Sequence, residues 1–245
     1  MLRELRASLV ITKNDIKVFY LRPPVILFGF AFPLFLFLSY SIGRGLPFEK
    51  LIPAWASISI FFASSNVAPA SIPSERRIKT WERLLVAPIT LTSILLGKAL
   101  ASMIFGVIIV SPPLLAGMML LKAEISNPTL MLASIILSSI TFSLFGLIFA
   151  AIPSEYPGEV MTPLNFIRLP LLFISGVFIP LNKLPYWARI ISFLSPLTYS
   201  CDLFRSAANF NPYFNPALNI AALIFFAALF LAVSVKLHER TRWKD

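Results

Sequence analysis

The chain has 245 residues, of which 58% are hydrophobic and 13% are charged, and it carries a net charge of +10. Its mean hydropathy is +0.83. Soluble domains are about 45–50% apolar and about 25% charged, so this composition excludes an ordinary soluble domain and indicates a protein that crosses a membrane several times. The positive charge is assigned to loops beside the membrane rather than to nucleic-acid binding, because no basic run alternates with aromatic residues in a polar segment.

The first segment, 1–23, is predicted to form an amphipathic helix that lies in the membrane interface. Apolar residues recur near one face from Leu5 to Tyr20, and cations such as Arg6 and Lys13 lie elsewhere. A soluble N-terminal arm is the alternative interpretation.

Six apolar runs are long enough, at about 20 residues, to cross the membrane as helices. They cover residues 25–42, 51–72, 94–121, 129–152, 166–181 and 216–235. The third is long enough to tilt, or to kink at Pro112 and Pro113, and the fifth is short and contains Pro170. The sequence therefore predicts an all-α polytopic membrane protein with a single transmembrane domain over residues 1–245.

The distribution of basic residues predicts the orientation of these spans. Fifteen of the 21 lysine and arginine residues fall on one side, counting Arg168 at the end of the fifth span. Because loops rich in these residues face the cytoplasm, both termini and the segment 74–87 are predicted to be cytoplasmic. The predicted location is the cell membrane.

The densest charge cluster, 74–87, is predicted to be a short amphipathic helix that begins with Ser74 as its cap and ends before Pro88. Its apolar face would hold Ile78, Trp81, Leu84 and Leu85. Its charged face would hold Glu75, Arg76, Lys79, Glu82 and Arg83. A face that mixes both signs favours docking to a protein partner in a defined register. An ordinary interfacial helix with a solvated charged face is the alternative.

The segment 182–215 is predicted to hold two short helices that lie in or dip into the outer leaflet, with a plain outer loop as the alternative. The first helix would have one apolar face, formed by Tyr186, Trp187, Ile190, Ile191 and Leu194. The second would place Leu203, Phe204 and Ala207 on one side. Asp202 and Arg205 are three residues apart, so they are predicted to pair.

Several kinds of chemistry are not predicted for this chain. The apolar runs contain no carboxylate, which argues against a proton-coupled carrier, although sodium held by backbone carbonyls stays open. With only one cysteine, Cys201, and one histidine, His238, a disulfide and a zinc site are not expected, and His238 is expected to be a solvated tail residue. A phosphate loop is not expected either, because Thr92 and Ala99 occupy the positions around Gly97–Lys98 that would need glycine and Ser or Thr.

Two stretches resemble the permeases of type-2 ATP-binding-cassette (ABC) transporters. The stretch ERRIKTWERLLVAP, 75–88, followed by Leu-Gly-Lys at 96–98, resembles their coupling segment, which commonly reads as an acidic-basic run, Gly-Thr-x-Glu-x-Leu, a proline, and Leu-Gly-Lys at the foot of the next span. Lys79 departs from that pattern, since the family commonly has glycine before Thr80, and this departure predicts a more regular helix start.

The second stretch, SGVFIPLNKLPYWARIISFLSPLTYSCDLFR at 175–205, is similar to the family signature. That signature has a Ser-Gly-x-Phe-x-Pro end to the fifth span, a Leu-Pro-x-Trp helix, a Pro-Leu-Thr-Tyr turn, and an acidic residue followed by arginine. Six spans and cytoplasmic termini agree with the family, so the resemblance covers nearly the whole chain.

The resemblance implies a permease subunit of an exporter. Two six-span units would pair, as a homodimer or with a related permease, and each would dock a separate ATPase subunit, two copies in all, that binds ATP and magnesium. The chain itself would hold no catalytic residue, metal or cofactor. The coupling contacts would be Glu75, Arg76, Lys79, Thr80, Trp81, Glu82, Arg83, Leu84 and Leu85. The outer gate or exit would involve Ser175, Gly176, Phe178, Pro180, Trp187, Pro196, Tyr199, Asp202 and Arg205.

Two other functions stay open at this point. One is a non-transporting membrane scaffold or immunity protein of the same fold. The other is a lipid-modifying membrane enzyme, which would need convergent polar groups in the spans, where Asn66 and Asn165 are the most polar candidates. The substrate of a transporter would be a lipophilic drug or a lipid-linked molecule, because aromatic residues such as Phe166 and Phe173 would border the path.

Overall fold

A computed structural model describes residues 2–42, 51–120 and 126–241, and this part of the chain is helical with no strand. The helices are α1 (Leu2–Phe19), α2 (Pro23–Ile26), α3 (Phe32–Ser41), α4 (Ile52–Ser64), α5 (Val67–Arg77), α6 (Thr80–Leu85), α7 (Leu91–Leu120), α8 (Pro128–Ala150), α9 (Pro157–Ile174), α10 (Tyr186–Ser192), α11 (Pro196–Ala207) and α12 (Pro216–Thr241). A π-helical turn, Leu27–Ala31, joins α2 to α3, and a 3₁₀ turn, Leu181–Lys183, precedes α10. The predicted all-α fold is confirmed.

The centre of the bundle is formed by α4 and α8, with α7, α11 and α12 packed around them. Every residue of α4 except Trp55 is buried, and Phe61 and Phe142 meet edge to face at 4.8 Å between ring centroids. Small residues bring these helices together, because a Cβ added at Gly146 would lie 2.5 Å from the carbonyl oxygen of Ser65. Close backbone approach is how membrane helices associate where lipid is as apolar as the side chains.

Three helices are long and apolar enough to cross a membrane, over Leu91–Met119, Pro128–Ala150 and Pro216–Thr241. A fourth is added if the bent pair Arg3–Phe19 and Pro23–Ser39, which meet at 91°, counts as one span. By this criterion the described residues support three or four spans. The arrangement with six spans stays a prediction.

The predicted second and fifth spans differ from what is observed. The second is interrupted at Ser65 and Asn66, which separate α4 from α5. The fifth begins at Pro157, nine residues before the predicted start, and ends at Ile174 rather than at residue 181. Pro157 occupies the first helical position, where a missing N–H costs nothing. Gly176, with φ +81°, adopts the left-handed conformation just after the helix end.

The first helix, α1, packs along α7 and turns sharply before α2. Its side chains Ser8, Thr12 and Asp15 face the bundle and are buried, whereas Leu5 and Leu9 are exposed. The apolar face that the sequence predicts is thus divided, because short polar side chains make the contact with α7. The exposed leucines are the side chains that an interfacial helix would place in the membrane.

Candidate functional site

Two ends of the bundle carry the residues that the sequence singles out. The helix α12 connects them, because Asn219 donates to Asp202 near its start and His238 lies beside Trp81 near its end. Asn219 and His238 are nineteen positions apart along the helix, or about 28 Å. We call them the α10 end, around Asp202, and the α6 end, around Trp81.

At the α6 end, the single helix predicted over 74–87 is wrong. The chain forms α5 and α6 instead, and Lys79 between them adopts the left-handed conformation with φ +57°. The Lys79 N–H donates to the carbonyl of Arg76 at 2.9 Å, and the Thr80 hydroxyl donates to the carbonyl of Glu75 at 3.2 Å. Glycine adopts this conformation freely and lysine does so at an energetic cost. The predicted regular helix start at Lys79 is therefore also wrong, and the bend is present without the glycine.

The break at Lys79 changes which side chains are exposed. Glu75 and Arg76 belong to α5 and are buried, although the single-helix prediction placed them on the charged surface. Ile78 is 62% exposed, although it was predicted to face the spans. The exposed side chains around the bend form what we call the α6 surface: Arg77, Ile78, Lys79, Arg83 and Val86.

Two acidic side chains border this surface. The Nζ atom of Lys79 lies 3.5 Å from Oε1 of Glu82 and 3.4 Å from Oε1 of Glu155. The Lys79–Glu155 contact raises the pKa of Lys79, with Glu82 adding to the effect. The α6 surface as a whole thus combines three cations with two apolar side chains.

Beneath the α6 surface, Lys98 joins three helices through a buried charge cluster. Its Nζ atom on α7 contacts Oε1 of Glu75 on α5 at 2.6 Å and Oδ1 of Asp15 on α1 at 2.8 Å. The side chains of Lys98 and Asp15 are fully buried and that of Glu75 is 6% exposed. Two carboxylates thus share one ammonium group, and Oε2 of Glu75 is buried without a hydrogen bond.

The protonation of Glu75 follows from this environment. Burial raises its pKa, Lys98 opposes the rise, and the charge of Asp15 adds to it. A buried cluster of two carboxylates and one ammonium has an excess negative charge, which protonation of one carboxylate removes. The folded state therefore binds a proton at Glu75 more tightly than the unfolded state does.

Neither Asp15 nor Lys98 is among the coupling contacts that the sequence predicts. Asp15 lies among exposed Lys13 and Asn14, and nothing local marks it as buried. Lys98 is the lysine of the Leu-Gly-Lys match at 96–98, at the foot of the third predicted span. That match was the one available signal.

The helix α1 is also fastened to α7 by hydroxyl groups. Ser8 donates to the carbonyl of Ser93 at 2.7 Å, and Thr12 donates to the carbonyl of Gly97 at 2.9 Å. A Cβ at Gly97 would lie 2.8 Å from the carbonyl oxygen of Ser8, so a larger residue would push α1 away. Glu4 accepts hydrogen bonds from the backbone and hydroxyl of Thr90, just before α7 begins.

The Trp81 side chain of α6 is buried against the bundle, with 2% of it exposed. The guanidinium of Arg76 lies 5.9 Å from its ring, and the centroid of His238 lies 6.2 Å from that of Trp81. Arg76 also donates to the carbonyl of Ile152, after α8. His238 is buried and its Nδ1 lies 2.9 Å from the carbonyl of Ser234, so the prediction of a solvated histidine is wrong.

A groove of about 410 Å³ opens between α1 and α6. It is lined by Asn14, Val18, Phe19, Glu75, Ile78, Thr80, Arg83 and Leu84. The groove connects the α6 surface with the side of Glu75 and gives this end of the bundle a concave face.

At the α10 end, Asp202 is buried and binds the chain that leads into α12. Its Oδ1 accepts from the N–H of Tyr213 at 2.6 Å, and its Oδ2 accepts from the N–H of Phe214 at 2.8 Å and the amide of Asn219 at 2.9 Å. Arg205 donates instead to the carbonyl of Gly176 at 2.6 Å. The predicted Asp202–Arg205 pair is therefore wrong, because each side chain has partners in a different loop.

Both short helices predicted in 182–215 are present as α10 and α11. The predicted apolar face of the first helix is exposed, and its last residue, Leu194, lies just beyond the end of α10: Tyr186, Trp187, Ile190, Ile191 and Leu194. By contrast, α11 is buried against α4, α8 and α12, so it is part of the core. Arg189 ties α10 to the preceding turn by donating to the carbonyls of Leu181 and Asn182 at 3.1 and 3.0 Å.

The other predicted exit residues lie at this end in varied environments. Ser175, Gly176, Phe178 and Pro196 are buried, and Pro180 is exposed. Tyr199 is half-buried and its hydroxyl donates to the carbonyl of Phe193 at 2.8 Å. They do not converge on one point as catalytic groups would.

Arg168 was predicted to lie at the cytoplasmic end of the fifth span, but it lies within α9 and is fully buried. It donates to the carbonyl of Ser65 at the break between α4 and α5 and to Oδ1 of Asn165, and its guanidinium lies 5.4 Å from the ring of Phe62. Asn66 donates to the carbonyl of Val25 at 3.2 Å. The break is thus a polar contact point between helices.

Comparison with known proteins gives one family. The sequence profile described as "ABC-2 type transporter" matches residues 6–209. Nodulation protein J of Sinorhizobium fredii (strain NBRC 101917 / NGR234) is 31% identical over 229 residues, covering 89% of this chain and 83% of that protein.

Two relatives are named as transport permeases. The inner membrane transport permease YadH of Escherichia coli (strain K12) is 26% identical over 158 residues, covering 64% of this chain and 61% of that protein. The putative transport permease ycf38 of Cyanophora paradoxa is 31% identical over 160 residues, covering 62% of this chain and 53% of that protein. With helices suited to a membrane and a profile match over most of its length, the chain belongs to the ABC-2 type transporter permease family.

Proposed function

We propose that the chain is the permease subunit of an ATP-driven exporter in the cell membrane, with six spans and both termini in the cytoplasm. Two permease units, identical or related, would form the path between them, and each would dock a separate ATPase subunit that binds ATP and magnesium. The observation that carries the proposal is α6, a short helix with an exposed basic and apolar surface and a buried tryptophan beneath it.

The α6 surface has the chemistry of a docking contact. Its three cations would meet acidic residues of the ATPase subunit, and Ile78 and Val86, which are 62% and 72% exposed, would fill an apolar depression. The groove between α1 and α6 would accept an element of the same partner. Glu75, Arg76, Trp81 and Leu85 are buried, so their role would be to support the docking helix rather than to touch the partner.

Movement of α6 would reach the spans through the contacts beneath it. Trp81 connects α6 to Arg76 and to His238 on α12. Glu75 connects α5 to Lys98 on α7, and Lys98 connects α7 to Asp15 on α1. Because these contacts are buried and close-packed, they would transmit a displacement rather than absorb it.

Charge reversal on the α6 surface tests the docking. The variant carrying Lys79→Glu and Arg83→Glu should lose co-purification with a co-expressed ABC-type ATP-binding subunit that co-purifies with the parent protein, because attraction becomes repulsion. The control carries Lys236→Glu and Arg240→Glu, two exposed cations of α12. If both variants assemble and transport like the parent protein, the α6 surface is merely solvated and the proposal fails.

Trp81→Ala tests transmission separately from docking. Loss of the buried ring should loosen α6 while its exposed cations stay in place. The ATPase subunit should then still co-purify, but transport per ATP hydrolysed should fall. Retention of full coupling by Trp81→Ala would show that the support of α6 does not transmit movement.

The two rival functions have distinct expectations. A scaffold or immunity protein of this fold would show no ATPase activity stimulated by substrate in a reconstituted complex with the ATP-binding subunit. A lipid-modifying enzyme would need free polar groups in the bundle. The two candidates already have structural contacts, since Asn66 donates to the carbonyl of Val25 and Asn165 accepts from Arg168.

A further inference from the structure

A cleft of about 530 Å³ lies at the α10 end, separate from the α6 surface. One wall is the turn before α10 and the other is the loop between α11 and α12. The cleft is lined by Pro180, Leu181, Asn182, Lys183, Arg205, Asn209, Phe210, Asn211, Pro212 and Tyr213. Nothing in the proposed coupling of α6 uses these residues.

The walls of the cleft are held by specific hydrogen bonds. Asp202 binds the N–H of Tyr213 and so positions the second wall. Arg189 binds the carbonyls of Leu181 and Asn182 and so positions the first. Arg205 is positioned by its contact with the carbonyl of Gly176. The cleft is therefore a built cavity rather than a gap between mobile loops.

The lining of the cleft is suited to an anion. Among the described residues that line it, two are cations, Lys183 and Arg205, and none is acidic. Asp202 is not among the lining residues, and its two oxygens accept hydrogen bonds from Tyr213, Phe214 and Asn219 rather than from either cation. Cations and amide N–H groups together match an oxyanion with several acceptor oxygens.

The second wall adds amide donors in an unusual backbone conformation. Asn209 and Asn211 both have positive φ, +56° and +40°. Asparagine tolerates this region better than most residues, but glycine would adopt it freely. The presence of asparagine at both positions places amide groups at the lining of the cleft.

An exposed apolar helix face adjoins the first wall. Trp187 and Ile190 of α10, and Leu194 just after it, are 62%, 48% and 71% exposed. Arg189 of the same helix is bonded to Leu181 and Asn182, which line the cleft. An anion-binding cleft thus lies directly beside a surface suited to hydrocarbon.

We propose that this cleft binds the phosphate of an anionic phospholipid, with an acyl chain lying along the apolar face of α10. Lys183 and Arg205 hold the phosphate, and the asparagine amides hold its oxygens or the headgroup hydroxyls. The site requires that α10 lie at a membrane leaflet, and it does not depend on docking of an ATPase.

Lipid binding to the purified full-length protein in detergent tests the headgroup contact. Labelled phosphatidylglycerol should bind more tightly than labelled phosphatidylcholine, whose headgroup carries no net charge. Lys183→Gln should weaken phosphatidylglycerol binding about five-fold, the effect of one exposed ion pair. The Lys183 side chain makes no hydrogen bond among the described residues, so this variant should fold. The matched control is Lys236→Gln, an exposed cation near the other end of α12.

A second pair of measurements separates a lipid from free phosphate. Inorganic phosphate should displace phosphatidylglycerol only at concentrations far above that of the lipid. Ile190→Asn should weaken binding of the lipid and leave the inhibition constant of phosphate unchanged. Equal losses in Lys183→Gln and Lys236→Gln, or equal binding of the two lipids, would overturn the site. Phosphate binding as tightly as the lipid, or lipid binding unaffected by Ile190→Asn, would overturn the lipid assignment.

Discussion

At the α6 end, charged side chains pair with one another across 83 and 23 residues of sequence, through Lys98 with Asp15 and with Glu75. At the α10 end, Asp202, Arg189 and Arg205 bind mainly backbone atoms of neighbouring turns. The first arrangement joins whole helices to one another, whereas the second fixes the shape of loops. Contacts between whole helices suit the α6 end to transmitting movement. At the α10 end, Lys183 and Arg205 have no carboxylate partner among the described residues and can bind a ligand.

The largest expected effect is loss of both counter-charges of Lys98. Asp15→Asn combined with Glu75→Gln would leave the fully buried ammonium unpaired, at a cost of about 3–5 kcal/mol in the free energy of unfolding. Each single variant keeps one carboxylate and should cost far less. Thermal unfolding of the purified protein in detergent measures this. If the double variant loses only the sum of the two small losses of the single variants, water reaches the cluster, and buried charge does not join the helices of the α6 end.

At the α10 end the expected effect is smaller and local. Asp202→Asn removes the charge and one of the acceptor oxygens that bind the N–H groups of Tyr213 and Phe214, which should cost about 1–3 kcal/mol. Hydrogen exchange should increase in the loop before α12 and stay unchanged around α6. Increased exchange at Trp81 or Lys98 would show that the two ends are not independent.

The sequence predicts where some of the helices lie but not where the chain bends between them. The run 129–152 predicts α8 to within two residues at each end, because a continuous apolar run beside a proline indicates where a helix begins. The run 216–235 predicts the start of α12 but not its end, since the helix continues to Thr241 through polar residues. The break at Ser65 and Asn66 leaves no such signal, since hydropathy does not report backbone direction. Likewise, a single helix over 74–87 fits the amphipathic pattern. The one indication of a bend at Lys79 is the glycine that the resembled family commonly has there, and this sequence lacks it.

The charged contacts were the hardest to predict because their partners are distant in sequence. Local spacing suggested Asp202 with Arg205, but the true partners of Asp202 come from residues 213–219, positioned by the tertiary fold. Asp15 and Lys98 meet only because Gly97 allows α1 to lie against α7. Their individual neighbours in the sequence carry no information about that contact.

The stability of the α6 end should depend on pH through Glu75. The pKa of Glu75 is raised above its usual 4.5, mainly by burial, so the folded state binds the proton more tightly than the unfolded state. The resulting stabilisation is fully present below pH 4.5 and is lost as the pH rises through the raised pKa. The unfolding temperature should therefore fall with rising pH more steeply in the parent protein than in Glu75→Gln. The control is Glu155→Gln, at an exposed position near the same end. Parallel profiles for the parent and Glu75→Gln would show that Glu75 does not hold this proton.

The smallest expected effect concerns the bend that exposes the α6 surface. Lys79 has φ +57°, where glycine is unstrained and a β-branched residue is most strained. Lys79→Gly removes that strain but also raises the conformational entropy of the unfolded chain, which offsets part of the gain. The unfolding temperature should therefore rise by no more than about 4 °C. Lys79→Val should lower it, because valine cannot adopt this conformation without a clash. Both substitutions remove the same exposed ion pairs with Glu82 and Glu155, so the difference between them reports the backbone alone. Equal stability of the glycine and valine variants would mean that the chain does not bend at Lys79, and that Glu75 and Glu82 lie on one helix after all.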